Sequence, residues 1–273
     1  MSRRFPASPL AAALSLHRSR ELIVQLVWRE VAGRYRGSFA GLMWSFLNPL
    51  FSLAMYTFVF GVVFKARWGL AAEGTVDFAL VLFAGLIVHA FMSECIGRAP
   101  YLVTGNASYV KQVVFPIDIL PAVALGSSLF HAAISSGLLL FIWLCVHGSL
   151  PPEILALPLL FLPLCLIALG LSWFIAATSV YFRDTAQIVS FVNAGLLFFS
   201  PIFYPAERVP EPFQSLLQLN PLTFVIEHFR HGLMGHGLPP LAEYTLYCAL
   251  ALLIAAGGHA WFQKTRPGFA DVI

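Results

Sequence analysis

Trp44, Asn48, Ser52 and Tyr56 follow one another at four-residue spacing, and Gln187, Ser190, Asn193, Ser200 and Tyr204 repeat the mixture further along the chain. Four-residue steps fall on one face of a helix. Uncharged amides, hydroxyls and aromatic rings suit a wet, neutral polymer, because ring faces stack on the C–H faces of sugars while the polar groups bond their edges. The same residue types join helices to one another inside membranes, so the stripes alone leave passage and packing equally open. Covalent chemistry finds no foothold. There is no paired carboxylate, metal cluster or nucleophile with a base, and no GxxxxGK[ST] loop with which the chain could energise itself. Cys95, Cys145, Cys165 and Cys248 stand singly in apolar stretches, with no spacing suited to zinc, and read as core filler. His228 and His231 flank Arg230 without a third ligand nearby, so they are expected to be solvated and no metal site is assigned. The chain is therefore expected to be no enzyme and to carry no cofactor.

Of its 273 residues, 59% are apolar and 11% charged, against about 25% charged in a typical soluble domain. The polar surface is too small for water, so the chain belongs in a bilayer, and soluble enzymes and nucleic-acid binders drop out. A net charge of +3 names no acidic partner. Arg3 and Arg4 precede a short apolar stretch, Leu10–Leu16, but it contains Ser15 and runs into His17-Arg18-Ser19-Arg20 instead of a cleavage site. It reads as an uncleaved cytoplasmic tail.

Charge-free intervals locate the spans, since an ionised group at mid-bilayer costs several kcal/mol. Between Arg36 and Lys65 lie 28 uncharged residues; between Asp77 and Glu94, 16; between Asp118 and Glu153, 34; between Glu153 and Arg183, 29; between Asp184 and Glu207, 22; between Glu243 and Lys264, 20. Each holds one crossing of about 20 residues, the second by borrowing a few flanking residues. The reading is an all-α integral membrane protein with six transmembrane helices, at about 39–64, 76–96, 119–146, 154–180, 185–204 and 241–263, preceded by a segment 1–38 and followed by a tail 264–273. With the N-terminus inside, twelve Lys and Arg lie in the inner segments and four, Lys65, Arg67, Arg208 and Arg230, in the outer ones. Both termini are thereby placed in the cytoplasm.

Three segments are not spans. Over residues 21–36, Glu21, Gln25, Arg29, Ala32 and Arg36 take one face of a helix and Leu22, Ile23, Leu26, Val27 and Val31 the other. This amphipathic helix, with Trp28, suits the inner headgroup plane, either as a generic anchor or as a surface gripping anionic headgroups or a partner. Residues 98–118, around Tyr109–Phe115, are long enough for a helical elbow, with a solvated linker as the competing reading. Residues 207–236 are too polar to span and too apolar to hang free. Asn220-Pro221 reads as a capped helix start, Gly232 and Gly235 as possible ends, and the whole as a re-entrant gate hairpin at the outer mouth. Ion coupling is disfavoured, because only His89 and Glu94 approach mid-span positions.

From about Leu22 to Phe262 the sequence resembles the membrane subunits of type 2 ABC exporters for cell-surface polysaccharides, the O-antigen, capsule and teichoic-acid-type translocators. The resemblance is carried by Trp28-Arg29-Glu30, Arg34-Tyr35-Arg36, Gly41-Leu42-Met43-Trp44, Asn48-Pro49, Lys111, Phe115-Pro116, Leu120-Pro121, Phe182-Arg183-Asp184, Ser200-Pro201, Tyr204-Pro205 and Asn220-Pro221-Leu222 with Arg230. Each is weak alone; their order and spacing together are specific.

The resemblance implies a permease in the bacterial inner membrane that pairs with a second copy and binds two cytoplasmic ATPase subunits, which hold the ATP and Mg. It places ATPase contacts at Gln25, Tyr109, Lys111 and Pro116, the channel along the first and fifth spans, and gate residues at Asn220, Pro221 and Arg230. The implied cargo is a lipid-linked glycan whose phosphate or pyrophosphate passes a basic collar of Arg29, Arg34 and Arg36. Membrane lipids are the other contact expected, and nucleic acid is not. A permease for a small drug or lipid, and a non-transporting envelope scaffold, are the rival readings.

Overall fold

Residues 78–92, broken only by His89, are apolar around almost the whole circumference of a helix, and such a helix is stable only when surrounded by protein. The computed structural model, which describes residues 8–63, 75–110 and 115–272, places it at the centre of the molecule. In chain order the helices are α1 (Pro9–Arg18), α2 (Arg20–Tyr35), α3 (Trp44–Tyr56, continued by a π-helical stretch Thr57–Val63), α4 (Thr75–Arg98), α5 (Tyr101–Thr104), α6 (Ala107–Val110), α7 (Leu120–His147), α8 (Leu157–Tyr181), α9 (Thr185–Phe199), α10 (Glu211–Leu219), α11 (Pro221–Met234), α12 (Leu241–Thr265) and α13 (Phe269–Val272). No strand occurs among the described residues.

Five helical stretches are long and apolar enough to cross a membrane: Trp44–Val63, Val76–Arg98, Ile117–His147, Pro152–Tyr181 and Leu241–Val272. The segment 185–204, expected as the fifth of six full spans, is a helix of only 15 residues. It stops because Pro201 disfavours helical geometry at the residue before it, and Ser200 is accordingly extended at φ −98°, ψ 148°. Pro49 has no such effect and lies inside α3. The terminal segments, expected as tails, pack on the bundle: Ala12 of α1 and Phe269 of α13 belong to one apolar cluster with the elbow residues Ala99, Leu102 and Val103 and with Phe262 of α12. That cluster brings both ends of the chain to one end of the bundle, with α10 and α11 at the other.

The elbow is built into the fold. Ser179 donates to the Pro100 carbonyl at 2.8 Å, Trp173 Nε1 to the Asp118 carbonyl at 2.8 Å, and Ser15 to the Asp118 carboxylate at 2.5 Å. Arg266 reaches the other carboxylate oxygen at 3.4 Å. Asp118, 4% exposed, thus ties α1, α8 and the end of α12 to the elbow. Asp118→Asn keeps the shape but weakens these charge-assisted bonds, and a loss of about 1–2 kcal/mol should appear as a lowered unfolding temperature of the purified protein.

α8 and α12 form the closest pair. They run parallel, with Tyr244 donating to the Leu159 carbonyl at 2.9 Å near their starts and Tyr181 to the Thr265 carbonyl at 2.7 Å near their ends. Between these pins Gly170 faces Gly258 with backbone against backbone. Close approach through small residues is a common way to join helices where water supplies no driving force. α3 is the opposite case. Only 6% of its apolar stretch is buried, against 67% for α4, and Phe51, Met55 and Phe58 are all more than half exposed.

Candidate functional site

The segment 21–36 folds as α2 and its C-cap, with Val24 and Trp28 more than half exposed. Leu26 and Val31 are buried, Leu22, Ile23 and Val27 are half-buried, and Glu21, Gln25, Arg29 and Ala32 are exposed. α2 lies so close to α7 that a Cβ on Gly126 would come within 2.6 Å of Val27 Cγ2. A third row of α2 carries charge inward: Glu30 pairs with Arg98, and Arg34 with Glu94, at the end of α4, while Arg98 also lies 3.7 Å from Glu94. The four charges sum to zero. Burial alone would lower the Arg34 guanidinium, but the bond to Glu94 outweighs it and holds the group above its ordinary value. Burial raises the neighbouring Tyr35 phenol.

Beside this network opens a cavity of about 350 Å³ between α2, α3, α4 and α7. The complete first stripe, Trp44, Asn48, Ser52 and Tyr56, lines one wall. Arg34, Tyr35, Ser45, His89, Glu94, His131 and Ser135 supply the polar part of the rest, and Phe83, Leu86, Ile87, Ala90 and Leu197 the apolar part. Tyr56 continues into an aromatic stack with Phe60 and Phe203, at centroid distances of 6.3 and 6.2 Å.

The second stripe does not stay on one face. Steps of three residues rotate backward around a helix of 3.6 residues per turn, so Gln187 and Ser190 are exposed while Asn193 turns to α4 and donates to the Ser93 carbonyl at 3.2 Å. Ser200 is buried at the helix break, where it bonds the Leu196 carbonyl at 2.6 Å and receives Asn220 Nδ2 at 2.9 Å. Tyr204, beyond the break, donates to the Phe198 carbonyl at 2.9 Å. Asn193 and Ser200 therefore make the packing contacts that such residue types equally permit.

In the 207–236 segment, Asn220 caps α11 by accepting from Leu222 N–H at 2.9 Å, with Pro221 at the first helical position, and Gly235 ends the helix at φ +70°. Gly232 lies within it. A second, largely apolar cavity of about 630 Å³ brings Tyr204, Asn220 and Pro221 together with Phe198, Phe199 and Phe213. Of the two histidines expected to be solvated, His231 is exposed and His228 half-buried. Arg230 is 4% exposed, and its guanidinium bonds the carbonyls of Val81 at the start of α4 and of Pro201 and Ile202 after the α9 break.

Among the expected partner contacts, Gln25 is exposed on α2, Tyr109 lies in α6, and Pro116 precedes the turn Ile117–Ile119. Lys111 lies outside the described residues, as do Lys65 and Arg67. In the basic collar Arg29 and Arg36 are on the exposed side of α2 and its C-terminus, whereas Arg34 is committed to Glu94. Glu30, Glu94, Arg98, Asp118 and His131 were not singled out as site residues from sequence. The first three had a readable signal, because Glu30 and Arg34 on one helix and Glu94 and Arg98 on another stand at i, i+4. The pairing across helices needed the fold.

These features define a multi-pass helical membrane protein with a polar cavity beside its least packed span and a charged connection at one end. The chain belongs to the ABC-2 type transporter family, whose model matches residues 21–234. It is 28% identical over 261 residues to the O-antigen export system permease protein RfbA of Myxococcus xanthus, covering 94% of this chain and 97% of that protein. It is 25% identical to the polysialic acid transport protein KpsM of Escherichia coli, over 81% and 86% of the two chains. The capsule polysaccharide export inner-membrane protein CtrC of Neisseria meningitidis is 24% identical, over 88% and 90%.

Proposed function

We propose that this chain is the channel-forming permease subunit of an ATP-driven exporter, which carries a lipid-linked polysaccharide of the O-antigen or capsule kind outward across the bacterial inner membrane. The observation that carries the reading is the near full-length likeness to a permease of O-antigen export. In this reading α9 and its break make the fifth of six crossings, both termini and the elbow face the cytoplasm, and α10 and α11 form a re-entrant gate on the outer side. Two copies associate along α3 and α9, whose exposed apolar residues, Phe191 at 82% among them, are what a partner helix would cover. Two ATPase subunits, holding ATP and Mg, engage α2 through Gln25 and the elbow through Tyr109, Lys111 and Pro116.

The chain's own contacts supply a mechanism. A push on α2 passes through Glu30–Arg98 and Arg34–Glu94 to one end of α4, and at the other end of α4 Val81 is tied through Arg230 to α11 and the α9 break. α4 is thus a rod joining the ATPase side to the gate, and its motion widens the passage beside α3. The cargo's phosphate would enter at the collar of Arg29, Arg34 and Arg36, with the glycan following along Trp44, Asn48, Ser52, Tyr56, Gln187, Ser190, Asn193, Ser200 and Tyr204.

Cells lacking the chain should accumulate lipid-linked glycan in the cytoplasm and lose it from the surface, measured by fractionation and glycan staining. Normal surface glycan with altered drug tolerance would replace this reading with a small-molecule permease, and neither change would leave a scaffold. Arg34→Gln with Arg36→Gln should lower export several-fold while the ATPase still co-purifies; loss of co-purification would make the two arginines structural.

A further inference from the structure

The end of α11 gathers three histidines. His228 and His231, three residues apart, share one side of the helix, and their ring centroids stand 5.8 Å apart. Gly235 then takes φ +70° and turns the chain back, so that the His236 N–H bonds the His231 carbonyl at 2.9 Å and its ring stands 5.9 Å from that of His231. The cluster is tied into the fold on its other side. His228 Nδ1 donates to the Phe224 carbonyl at 2.8 Å, its ring lies 4.3 Å from that of Phe224, and Phe224 stacks at 4.5 Å on Tyr247 of α12. Arg230, the residue before His231, is the buried cation fixed on the carbonyls of Val81, Pro201 and Ile202. No three His, Cys, Asp or Glu side chains among the described residues are placed to hold a metal ion, so the cluster is read by its response to protons.

Histidine changes charge near neutral pH, at about 6.5 when nothing perturbs it. With the rings neutral, Arg230 against Glu207 and Glu227 leaves the set at −1, and three imidazolium ions would bring it to +2. The other elements packed on α11 do little to offset that change. α8 carries no charged residue, Asp77 at the start of α4 is paired with His147 of α7 at 3.1 Å, and Glu153 lies with its backbone against Gly232. Arg208, Glu211 of α10 and Glu243 of α12 are exposed to solvent. Partial burial and the His228 and His236 imidazoles, with Arg230 adding to them, hold the His231 imidazole below its ordinary value, and Glu207 opposes them. A group that binds its proton less tightly in place than free costs the folded form nothing above about pH 6.5 and destabilises it increasingly below. Burial also holds the Glu227 carboxyl above its usual range, so acid removes a negative charge from the same set.

We propose that His228, His231 and His236 form a proton-operated catch: neutral, they let the end of α11 lie on the bundle; protonated, they repel one another and loosen that end, with the turn that carries Arg230. The proposal rests on the export reading above, which puts this end of the bundle on the outer side and makes the acidity that of the outer compartment.

The test is hydrogen–deuterium exchange of the full chain in phospholipid nanodiscs at about pH 7.5 and about pH 5.5, corrected for the intrinsic pH dependence of exchange, beside an NMR titration of the histidine rings. Backbone amides over residues 228–238 should lose protection at least tenfold at the lower pH, and those of α8 less than twofold. His231→Gln and His236→Gln should each reduce that loss to under threefold, while Glu227→Gln, which leaves the three rings in place, should keep it above fivefold. The His231 titration midpoint should lie below about 6.5 and rise when His228 and His236 are both replaced by Gln. Should a His228 variant fail to fold, the His231 and His236 variants decide, because both side chains are exposed. Equal protection at the two pH values, an undiminished response in His231→Gln and His236→Gln, or a His231 midpoint at or above the ordinary value would overturn the catch. Exchange needs no cargo, so a failed catch leaves the export reading to the surface-glycan assay, and a failed surface-glycan assay leaves the exchange result standing.

Discussion

Leucine in place of Gly258 should abolish recovery of folded, monodisperse protein. The reason is geometric: a Cβ at Gly258 would overlap the Gly170 carbonyl, and one at Gly170 would stand 2.5 Å from the Ile254 carbonyl oxygen and 2.7 Å from Ala255 Cα. These neighbours are backbone and cannot swing aside. The helices would have to separate, along the longest contact in the bundle and against the pins at Tyr244, Trp261 and Tyr181. Alanine should cost about 1–3 kcal/mol, offset in part by its better helix propensity, and leucine more than about 4 kcal/mol. Gly257 is the control, since nothing lies within 4 Å of its absent Cβ. Gly257→Ala should be neutral or gain up to about 1 kcal/mol. Fluorescence-detected size exclusion with a thermal ramp separates the three variants, and a Gly258→Leu protein as stable as the parent would show that α8 and α12 do not meet as described.

Methionine at position 230 should cost about 2–4 kcal/mol and, in the mechanism proposed above, uncouple α4 from α11. The Val81 carbonyl keeps its own helix, but the Pro201 and Ile202 carbonyls lie in a buried turn, and each loses a charged donor. A buried acceptor left unpaired costs about 1–3 kcal/mol, and the relief of desolvating a guanidinium returns part of it. Arg230→Lys can replace one bond of the fork and should fall between parent and Arg230→Met. Gly85→Ala tests the same clamp from the other side, because its methyl would sit 2.8 Å from the guanidinium Nη2 and displace it. If α4 drives the gate through this contact, Arg230→Met should retain ATPase co-purification and lose most glycan export. Unchanged export would remove Arg230 from the mechanism and leave it a packing residue.

Much of this molecule was legible in its residues. Periodicity within one helix is a local property, so the two faces of α2, the stripe Trp44–Asn48–Ser52–Tyr56 and the Asn220-Pro221 helix start could be read before any fold was known. Charge-free intervals marked out the long helices for the same reason, since the cost of an ion in lipid falls on each segment separately. The 185–204 segment shows the limit of that reasoning: hydropathy takes no notice of Pro201, and the helix ends at Phe199.

What the chain order could not disclose is everything that depends on which helix lies beside which. Arg34 reads as part of a basic collar and is a partner of Glu94 sixty residues away; Asp118 reads as the end of the elbow and ties both terminal segments to it; Arg230 reads as a gate residue of the outer hairpin and is a buried clamp. A side chain's meaning in lipid is set by its nearest opposite charge or unpaired carbonyl, and those neighbours come from distant segments. Composition and periodicity determined that this is a helical membrane protein with a polar seam. Only the packing of α2, α4 and α7 around α3 decided that Glu30, Arg34, Glu94 and Arg98 pair off into a neutral set at the end of that seam.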